Sequence, residues 1–250
     1  MISLLTPEGL EALLPVVTPN TLFAFDLDGT LAPIVDDPQA VIVPETIRTS
    51  MIQLAARVPT AVITGRARGD ALSRLGFTPR YLIGNHGNEG LPNKAAGITE
   101  EQLIKSWYRQ LQALLPPPTR DEILFEDKGS SLALHYRHAS DTSTVHAALL
   151  TAIAQLKPQP RRIGGVFVEN LIPPWAPHKG DALLYLMDNA KSERAFFLGD
   201  DETDEDIFRL NDARIFSVCV GTGRPTAARY YLKNQSETAN LLQMLLNVLV

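Results

Sequence analysis

The sequence contains a single cysteine in 250 residues, Cys219, which lies in the apolar run 215–220. One cysteine cannot form an intrachain disulfide, so a disulfide-stabilised fold is excluded. A small cysteine among apolar neighbours is typical of a core residue rather than a nucleophile.

Long apolar segments and a strong charge of either sign are also lacking. The most apolar segment near the end, 241–250, is too short to span a bilayer. The first residues lack the basic flank and continuous apolar stretch of a signal peptide. The net charge is −5 and no long basic run occurs, so the chain has little attraction for a nucleic-acid backbone. We therefore expect a cytoplasmic monomer that binds neither membrane nor nucleic acid.

What the sequence does contain is an alternation of short apolar strands and helical segments. Strand patterns occur at 21–25, 60–64, 81–83, 195–198 and 214–220. Helical patterns occur at 44–57, 68–75, 180–190 and 205–210. Near-continuous apolar strands that alternate with helices indicate a parallel sheet covered on both faces. The sequence predicts an α/β, Rossmann-like core.

The middle of the chain has a different pattern. A helix is expected to begin at Thr99, because Gln102 three residues later completes a capping box. Strands and a second helix follow at 123–126, 131–137, 144–156 and around 164–165. This order predicts an inserted α+β domain at 91–175, with the core domain formed by 1–90 and 176–250.

Two carboxylates follow the first strand, in the segment Phe25-Asp26-Leu27-Asp28-Gly29-Thr30-Leu31. Ligands bind at the carboxyl ends of strands in open parallel sheets. There Asp26 could attack phosphorus, and Asp28 could transfer a proton to the leaving oxygen. The alternatives are an acidic turn without chemistry and a calcium loop. The calcium loop would need glycine at its sixth position, where Leu31 stands.

A denser acidic cluster follows a later apolar strand, at Gly199-Asp-Asp-Glu-Thr-Asp-Glu-Asp206. So many carboxylates repel one another unless a cation neutralises them, and oxygen ligands favour Mg²⁺. We expect Asp26 and Asp200 to hold the metal from two strand ends, with Asp204 also in the site. The last two acids, Glu205 and Asp206, suit the N-terminus of the next helix.

Two further segments have side chains that suit phosphate. Thr64-Gly65-Arg66 lies between a strand and a helix, where a hydroxyl and backbone N–H groups can bind an anion. Lys179 precedes a helix, and its ammonium could neutralise phosphate charge and hold Asp26. Neither segment is informative alone, but both lie at a strand end or helix start beside the acidic motifs.

These four segments resemble the four motifs of the haloacid dehalogenase (HAD) superfamily of aspartate-nucleophile phosphatases. The inserted domain resembles the α+β cap of the C2 type. More narrowly, three segments are similar to motifs of trehalose-6-phosphate phosphatases: 199–205 (Gly-Asp-Asp-x-Thr-Asp-Glu), 84–89 (Gly-x-His-Gly-x-Glu) and 128–137 (Lys-Gly…Leu-His-Tyr-Arg).

The resemblance implies a role for each matching residue. Asp26 would be the nucleophile and an Mg²⁺ ligand, and Asp28 the general acid/base and a ligand through its carbonyl oxygen. Thr64 and Lys179 would bind the phosphoryl group. The other metal residues would be Asp200 and Asp204. The substrate-binding residues would be Gly65, Arg66, Asn85, His86, Glu126, Lys128, Arg137 and Glu169.

The expected reaction is Mg²⁺-dependent hydrolysis of the sugar phosphate trehalose 6-phosphate. One departure bears on the sugar: the family follows the glutamate matched by Glu169 with a basic residue and a proline, whereas here the segment 170–177 is longer and lacks the basic residue. Alternatives therefore stay open. They are a sucrose-phosphate or mannosylglycerate-phosphate phosphatase, a phosphotransferase or mutase, and a catalytically silent regulator that binds sugar phosphate.

Overall fold

A computed structural model describes residues 1–92 and 99–249 of the chain. It divides into two units, one formed by Met1–Leu91 with Pro177–Val250 and the other by Pro92–Ala176. Each of these boundaries differs by one residue from the predicted domain boundary. Within the described ranges, no helix is both long and apolar enough to cross a membrane.

The strands, in chain order, are β1 (Ile2–Ser3), β2 (Thr21–Phe25), β3 (Thr60–Ile63), β4 (Tyr81–Ile83), β5 (Leu124–Asp127), β6 (Leu132–His135), β7 (Arg161–Gly165), β8 (Val168–Ile172), β9 (Arg194–Gly199), β10 (Ile215–Val220) and β11 (Tyr230–Leu232). The α-helices are α1 (Pro7–Leu13), α2 (Glu45–Ala55), α3 (Arg68–Leu75), α4 (Glu100–Leu114), α5 (Pro117–Asp121), α6 (Thr142–Ile153), α7 (Lys179–Ala190), α8 (Glu205–Phe208) and α9 (Thr238–Val248).

The first unit is built on a parallel sheet of seven strands in the order β1-β11-β10-β9-β2-β3-β4. Strand β2 shows why its apolar run is continuous. Phe23 and Phe25 pack into one core, whereas Leu22 and Ala24 pack into a second core. Successive side chains of a strand point to opposite faces, so both faces of this sheet are covered. The predicted α/β fold is confirmed.

The second unit contains an antiparallel sheet of four strands in the order β5-β6-β8-β7. Leu132, Leu134 and Leu171 of this sheet share a core with Trp107 of α4 and Leu149 of α6. The capping box that begins α4 at Thr99 is confirmed. The helices thus cover one face of the sheet, and the polar residues of the strands divide between that face and the opposite one.

Candidate active site

Asp26 stands directly after β2 and is only 4% exposed. Its backbone N–H donates to the carbonyl of Leu198 at 2.9 Å, so the chain still follows β9 at this point. One carboxylate oxygen, Oδ1, accepts from the N–H of Leu27 at 2.7 Å. The other, Oδ2, lies 3.1 Å from Nζ of Lys179. The end of the strand therefore fixes the carboxylate beside a cation.

Lys179 is the first residue of α7 and is 1% exposed. Besides its contact with Asp26, its Nζ donates to Oδ1 of Asp204 at 2.7 Å. Burial alone would lower the pKa of Lys179, but the carboxylates of Asp204 and Asp26 raise it well above its usual range. The ammonium therefore stays charged and links the two acidic motifs.

The carboxylates of Asp26, Asp200 and Asp204 come together, with one oxygen atom of each lying within 4.8 Å of the others. Asp200 accepts a hydrogen bond from Oγ1 of Thr30 at 2.9 Å. Both oxygens of Asp204 accept, since its Oδ2 is bound by the N–H of Asp201 at 2.9 Å. Both oxygens of Asp204 and both oxygens of Asp26 are thus contacted by protein groups.

Burial raises the pKa of each of these three acids, and that of Asp200 reaches about 7. The neighbouring carboxylate of Asp204 raises the pKa of Asp26 and Asp200 further, while Lys179 opposes the shift in all three. One ammonium does not balance three carboxylates at this distance. The cluster could hold a metal ion, and its all-oxygen donors suit a hard divalent cation.

Gly29 lies where the first acidic motif contacts the second, and this contact leaves no room for a side chain. Its φ is +72°, and a Cβ atom at this position would lie 2.0 Å from Oδ2 of Asp200. Any larger residue would push Asp200 away from Asp26 and would also adopt an unfavourable backbone conformation. The glycine lets two strand ends approach closely enough for their carboxylates to share one ion.

The predicted phosphate-binding segment forms a tight corner after β3. Thr64 is fully buried, and its Oγ1 accepts from the N–H of Arg66 at 3.2 Å. A Cβ at Gly65 would lie 2.4 Å from the imidazole of His86, so the ring packs directly on this backbone. The N–H of His86 donates to the carbonyl of Thr64, and that of Asn85 to the carbonyl of Arg66. The structure thus brings these five predicted residues together.

The guanidinium of Arg66, which the resemblance assigns to substrate binding, contacts Asp28 in the structure. Its Nε and Nη2 donate to the two carboxylate oxygens of Asp28, each at 2.7 Å. Its Nη1 donates to Asp70 at 2.6 Å, and Nη2 also donates to the carbonyl of Pro38 at 3.0 Å. A two-bond contact of this kind fixes the plane of a carboxylate. The guanidinium therefore orients Asp28, a role that the sequence did not predict.

A second arginine that the sequence analysis missed supports the metal cluster. Arg224 donates from Nε to the carbonyl of Asp200 at 3.0 Å and from Nη2 to that of Asp201 at 2.7 Å. Its Nη1 bonds Glu205 at 3.1 Å, and the same carboxylate accepts from the N–H of Ala227. Glu205 begins α8, as the sequence predicts, and it also ties the loop after β10 to the acidic loop. No motif in the sequence signals Arg224, because its contacts depend on the path of the loop after β10.

In the second unit, Glu126 and Lys128 lie close together. The Nζ of Lys128 is 3.9 Å from Oε2 of Glu126, and the same oxygen is 2.8 Å from Nε2 of His135. The guanidinium of Arg137 lies 5.7 Å from the ring centre of Phe167. Glu126 and Lys128, two of the charges predicted to contact sugar hydroxyls, thus form a small cluster, to which His135 adds an imidazole.

Glu169 does not join that cluster. It is 3% exposed, its Oε1 is 2.8 Å from Nε2 of His146 on α6, and its Oε2 is 3.2 Å from Nε of Arg162. The ring of His146 stacks on Tyr136 at 4.9 Å between ring centres. The resemblance implies that Glu169 binds substrate together with Glu126 and Lys128, but in the structure Glu169 points to the helix-covered face of the sheet.

Comparison with known proteins places the chain in a family. The trehalose-phosphatase family model matches residues 24–236. The trehalose-phosphate phosphatase of Mycobacterium ulcerans is 30% identical over 254 residues, which cover 93% of this chain and 64% of that protein. The chain therefore spans slightly less than two thirds of the length of this relative.

Solved structures give the same result. A structure of trehalose-6-phosphate phosphatase from Aspergillus fumigatus is 26% identical, with a TM-score of 0.65 over 95% of this chain and 97% of that one. A haloacid dehalogenase-like hydrolase from Bacteroides thetaiotaomicron, 14% identical, shares the fold with a TM-score of 0.64 over 90% and 98% of the two chains. The matched region contains all of the acidic residues described above, and the chain belongs to the trehalose-phosphatase family.

Proposed function

We propose that this chain hydrolyses trehalose 6-phosphate to trehalose and inorganic phosphate, with Mg²⁺ as its cofactor. The observation that carries the proposal is the buried contact between Asp26 and Lys179 at the end of β2, 3.1 Å long, beside the carboxylates of Asp200 and Asp204. A carboxylate held in this way beside a fixed cation can attack an anionic group without being repelled by it. Membership of the family supports the choice of substrate.

In the proposed reaction a carboxylate oxygen of Asp26 attacks phosphorus and forms an acyl phosphate, while the bond between phosphorus and the sugar oxygen breaks. Asp28 gives a proton to the departing sugar oxygen and then takes one from the water that cleaves the acyl phosphate. The second step releases phosphate and restores Asp26. In the structure both oxygens of Asp28 accept from Arg66, so this two-bond contact must open before Asp28 can give a proton.

The phosphoryl group would be bound by residues at three strand or helix ends. The hydroxyl of Thr64 and the backbone N–H of Gly65 are suited to its oxygens, and Lys179 supplies a buried positive charge. Asn85 and His86 pack on the same corner, and we assign them to the phosphate side of the substrate. Fixed donors in a buried site stabilise developing charge without needing to reorient.

The residues present fit Mg²⁺, because the cluster offers only oxygen donors and carries more negative charge than Lys179 neutralises. Asp26 and Asp200 would hold the ion through carboxylate oxygens, and Asp28 through its carbonyl. Asp204 would support them by holding Lys179. When bound, Mg²⁺ would supply positive charge for the phosphoryl oxygens.

In the second unit, we propose that Glu126 and Lys128 bind sugar hydroxyls, with Arg137 as a further contact. Their mutual contacts support this, because a carboxylate acceptor and an ammonium donor held near each other suit neighbouring hydroxyls. The departure after Glu169 favours a second candidate, a phosphatase for another sugar phosphate.

Release of inorganic phosphate from a panel of substrates tests the proposal. The panel contains trehalose 6-phosphate, sucrose phosphate, mannosylglycerate phosphate and glucose 6-phosphate, each with and without Mg²⁺. We expect the highest kcat/KM with trehalose 6-phosphate and no turnover in chelator. A higher value for another disaccharide phosphate would support the second candidate. Failure to release phosphate from any compound would contradict the catalytic proposal.

A further inference from the structure

The pairing of strands in the second unit places Asn170, rather than Glu169, on the same face of the sheet as Glu126. Glu126 of β5 is directly opposite Ala133 of β6, and Ala133 is directly opposite Asn170 of β8. Directly opposed residues of neighbouring strands point to the same face of a sheet. Glu126, Ala133 and Asn170 therefore form one row across three strands.

Glu169 points to the other face, as its neighbours show. It is directly opposite Leu134, which packs in the apolar core beneath the helices. Its carboxylate meets His146 of α6 at 2.8 Å and Arg162 at 3.2 Å. A shift of one residue along a strand exchanges the two faces. Glu169 and Asn170 thus have different surroundings although they are adjacent in sequence.

Lys128 connects the polar residues of the row. Its Nζ is 3.9 Å from Oε2 of Glu126 and 3.5 Å from Oδ1 of Asn170. His135, whose Nε2 is 2.8 Å from Glu126, belongs to the same face. We call Glu126, Lys128, His135 and Asn170 the polar face. It combines an acceptor, a charged donor, an imidazole and an amide on adjacent strands.

The amide of Asn170 retains capacity for a further hydrogen bond. An asparagine amide has two N–H donors and an oxygen that accepts twice. Among the residues that the structure describes, its Nδ2 donates to the carbonyl of Ile163 at 3.4 Å and its Oδ1 accepts from Lys128 at 3.5 Å. Both bonds are long, and they use one donor. A neutral polyhydroxylated ring can accept from the second N–H while it also bonds Glu126 and Lys128.

We propose that Asn170 is a specificity-determining residue that donates to a hydroxyl of the sugar, and that Glu169 instead fastens α6 to the sheet. The inference rests on the proposed function, since it concerns the sugar of the same substrate. The resemblance to the family implies a sugar contact for Glu169, whereas the proposal gives this contact to the neutral amide of Asn170. A neutral donor there selects for a hydroxyl without adding charge to the polar face.

The test compares kcat/KM for trehalose 6-phosphate with kcat/KM for p-nitrophenyl phosphate, which has no sugar. Asn170→Ala is expected to lower the ratio of the two values by about tenfold. Asn170→Asp preserves size but removes both N–H donors, so it is also expected to lower the ratio and serves if the alanine variant folds poorly. Glu169→Gln is expected to lower Tm, through weaker contacts with His146 and Arg162, and to keep the ratio unchanged.

The outcomes separate this inference from the function on which it rests. If the unaltered enzyme does not hydrolyse trehalose 6-phosphate, the proposed function fails. If it does, and both Asn170 variants keep the original ratio, the role of Asn170 is refuted. A tenfold fall of the ratio in Glu169→Gln with an unchanged Tm would likewise overturn the assignment of Glu169.

Discussion

The charged side chains that we assign to the phosphate in the first unit and those that we assign to the sugar in the second unit differ in burial. In the first unit Asp26, Lys179 and Asp204 are at most 4% exposed and lie just beyond strand ends or at a helix start. In the second unit Glu126 and Lys128 occupy and follow a strand, and the side chain of Glu126 is 48% exposed. Charges of the first kind are costly to bury, whereas charges of the second kind cost the fold little.

The difference in burial determines which substitutions the fold tolerates. A buried ion cluster with an excess of carboxylates needs every partner, because loss of one leaves another charge uncompensated. The carboxylate of Glu126, which is half exposed, can be altered with little effect on stability. We therefore expect variants of the first unit to affect all substrates, and variants of the polar face to affect only substrates that carry a sugar.

The largest effect is expected for Asp26→Asn, because an amide cannot form the acyl phosphate. Hydrolysis of trehalose 6-phosphate and of p-nitrophenyl phosphate should both fall by more than about a thousandfold, since uncatalysed phosphate ester hydrolysis is extremely slow. Phosphate release measures the loss, and circular dichroism checks the fold.

Asp212→Asn is the matched control. Asp212 is an acid of the same unit that does not belong to the cluster, and its carboxylate pairs with Arg214 at 2.7 Å. Its activity should equal that of the unaltered chain. Retention of a few per cent of activity in Asp26→Asn would refute the assignment of Asp26 as the nucleophile. Unequal losses for the two substrates would contradict the expectation that variants of the first unit affect all substrates.

The site residues of the first unit could be predicted in detail because the features that place them are local in the sequence. Each motif directly follows an apolar strand, and the carboxyl ends of parallel strands meet at one edge of the sheet. The contact between Asp26 and Lys179 follows from this arrangement. The clamp of Arg224 on two carbonyls could not be predicted in the same way, because it depends on the path of a loop rather than on a strand end.

For the second unit, only the helices and strands could be predicted from the sequence. The strands and the capping box at Thr99 are visible in the sequence, but the pairing register between strands is not. A shift of one residue decides whether Glu169 or Asn170 lies on the same face of the sheet as Glu126. Strands β1 and β11, of two and three residues, were also missed.

An intermediate effect is expected for Lys128→Ala. It should lower kcat/KM for trehalose 6-phosphate by about ten- to a hundredfold through the loss of a charged hydrogen bond, and leave p-nitrophenyl phosphate nearly unchanged. Lys105→Ala is the matched control, because Lys105 is an exposed lysine of the same unit that pairs with Glu101 within α4. Equal losses for both substrates would mean that Lys128 supports the fold rather than the sugar.

The smallest effect concerns the pH dependence of stability in the first unit. In the metal-free protein the pKa of Asp200 is raised from 3.8 to about 7, mainly by burial and to a smaller extent by the carboxylate of Asp204. The folded state thus binds a proton more strongly than the unfolded state does. The resulting stability is fully present below pH 3.8 and is lost as the pH rises through about 7.

Mg²⁺ should therefore stabilise the protein more at pH 8 than at pH 6, because at pH 6 a proton must first leave Asp200. One unit between pH and pKa corresponds to about 1.4 kcal/mol, so the gain in unfolding free energy from Mg²⁺ should differ by about 1 kcal/mol between the two conditions. Thermal unfolding with Mg²⁺ and with chelator at each pH measures this difference. Asp200→Asn should abolish it, since an amide does not titrate in this range. Equal stabilisation at both pH values would show that Asp200 does not exchange a proton for the metal, and the excess charge of the buried cluster would then be relieved by another group.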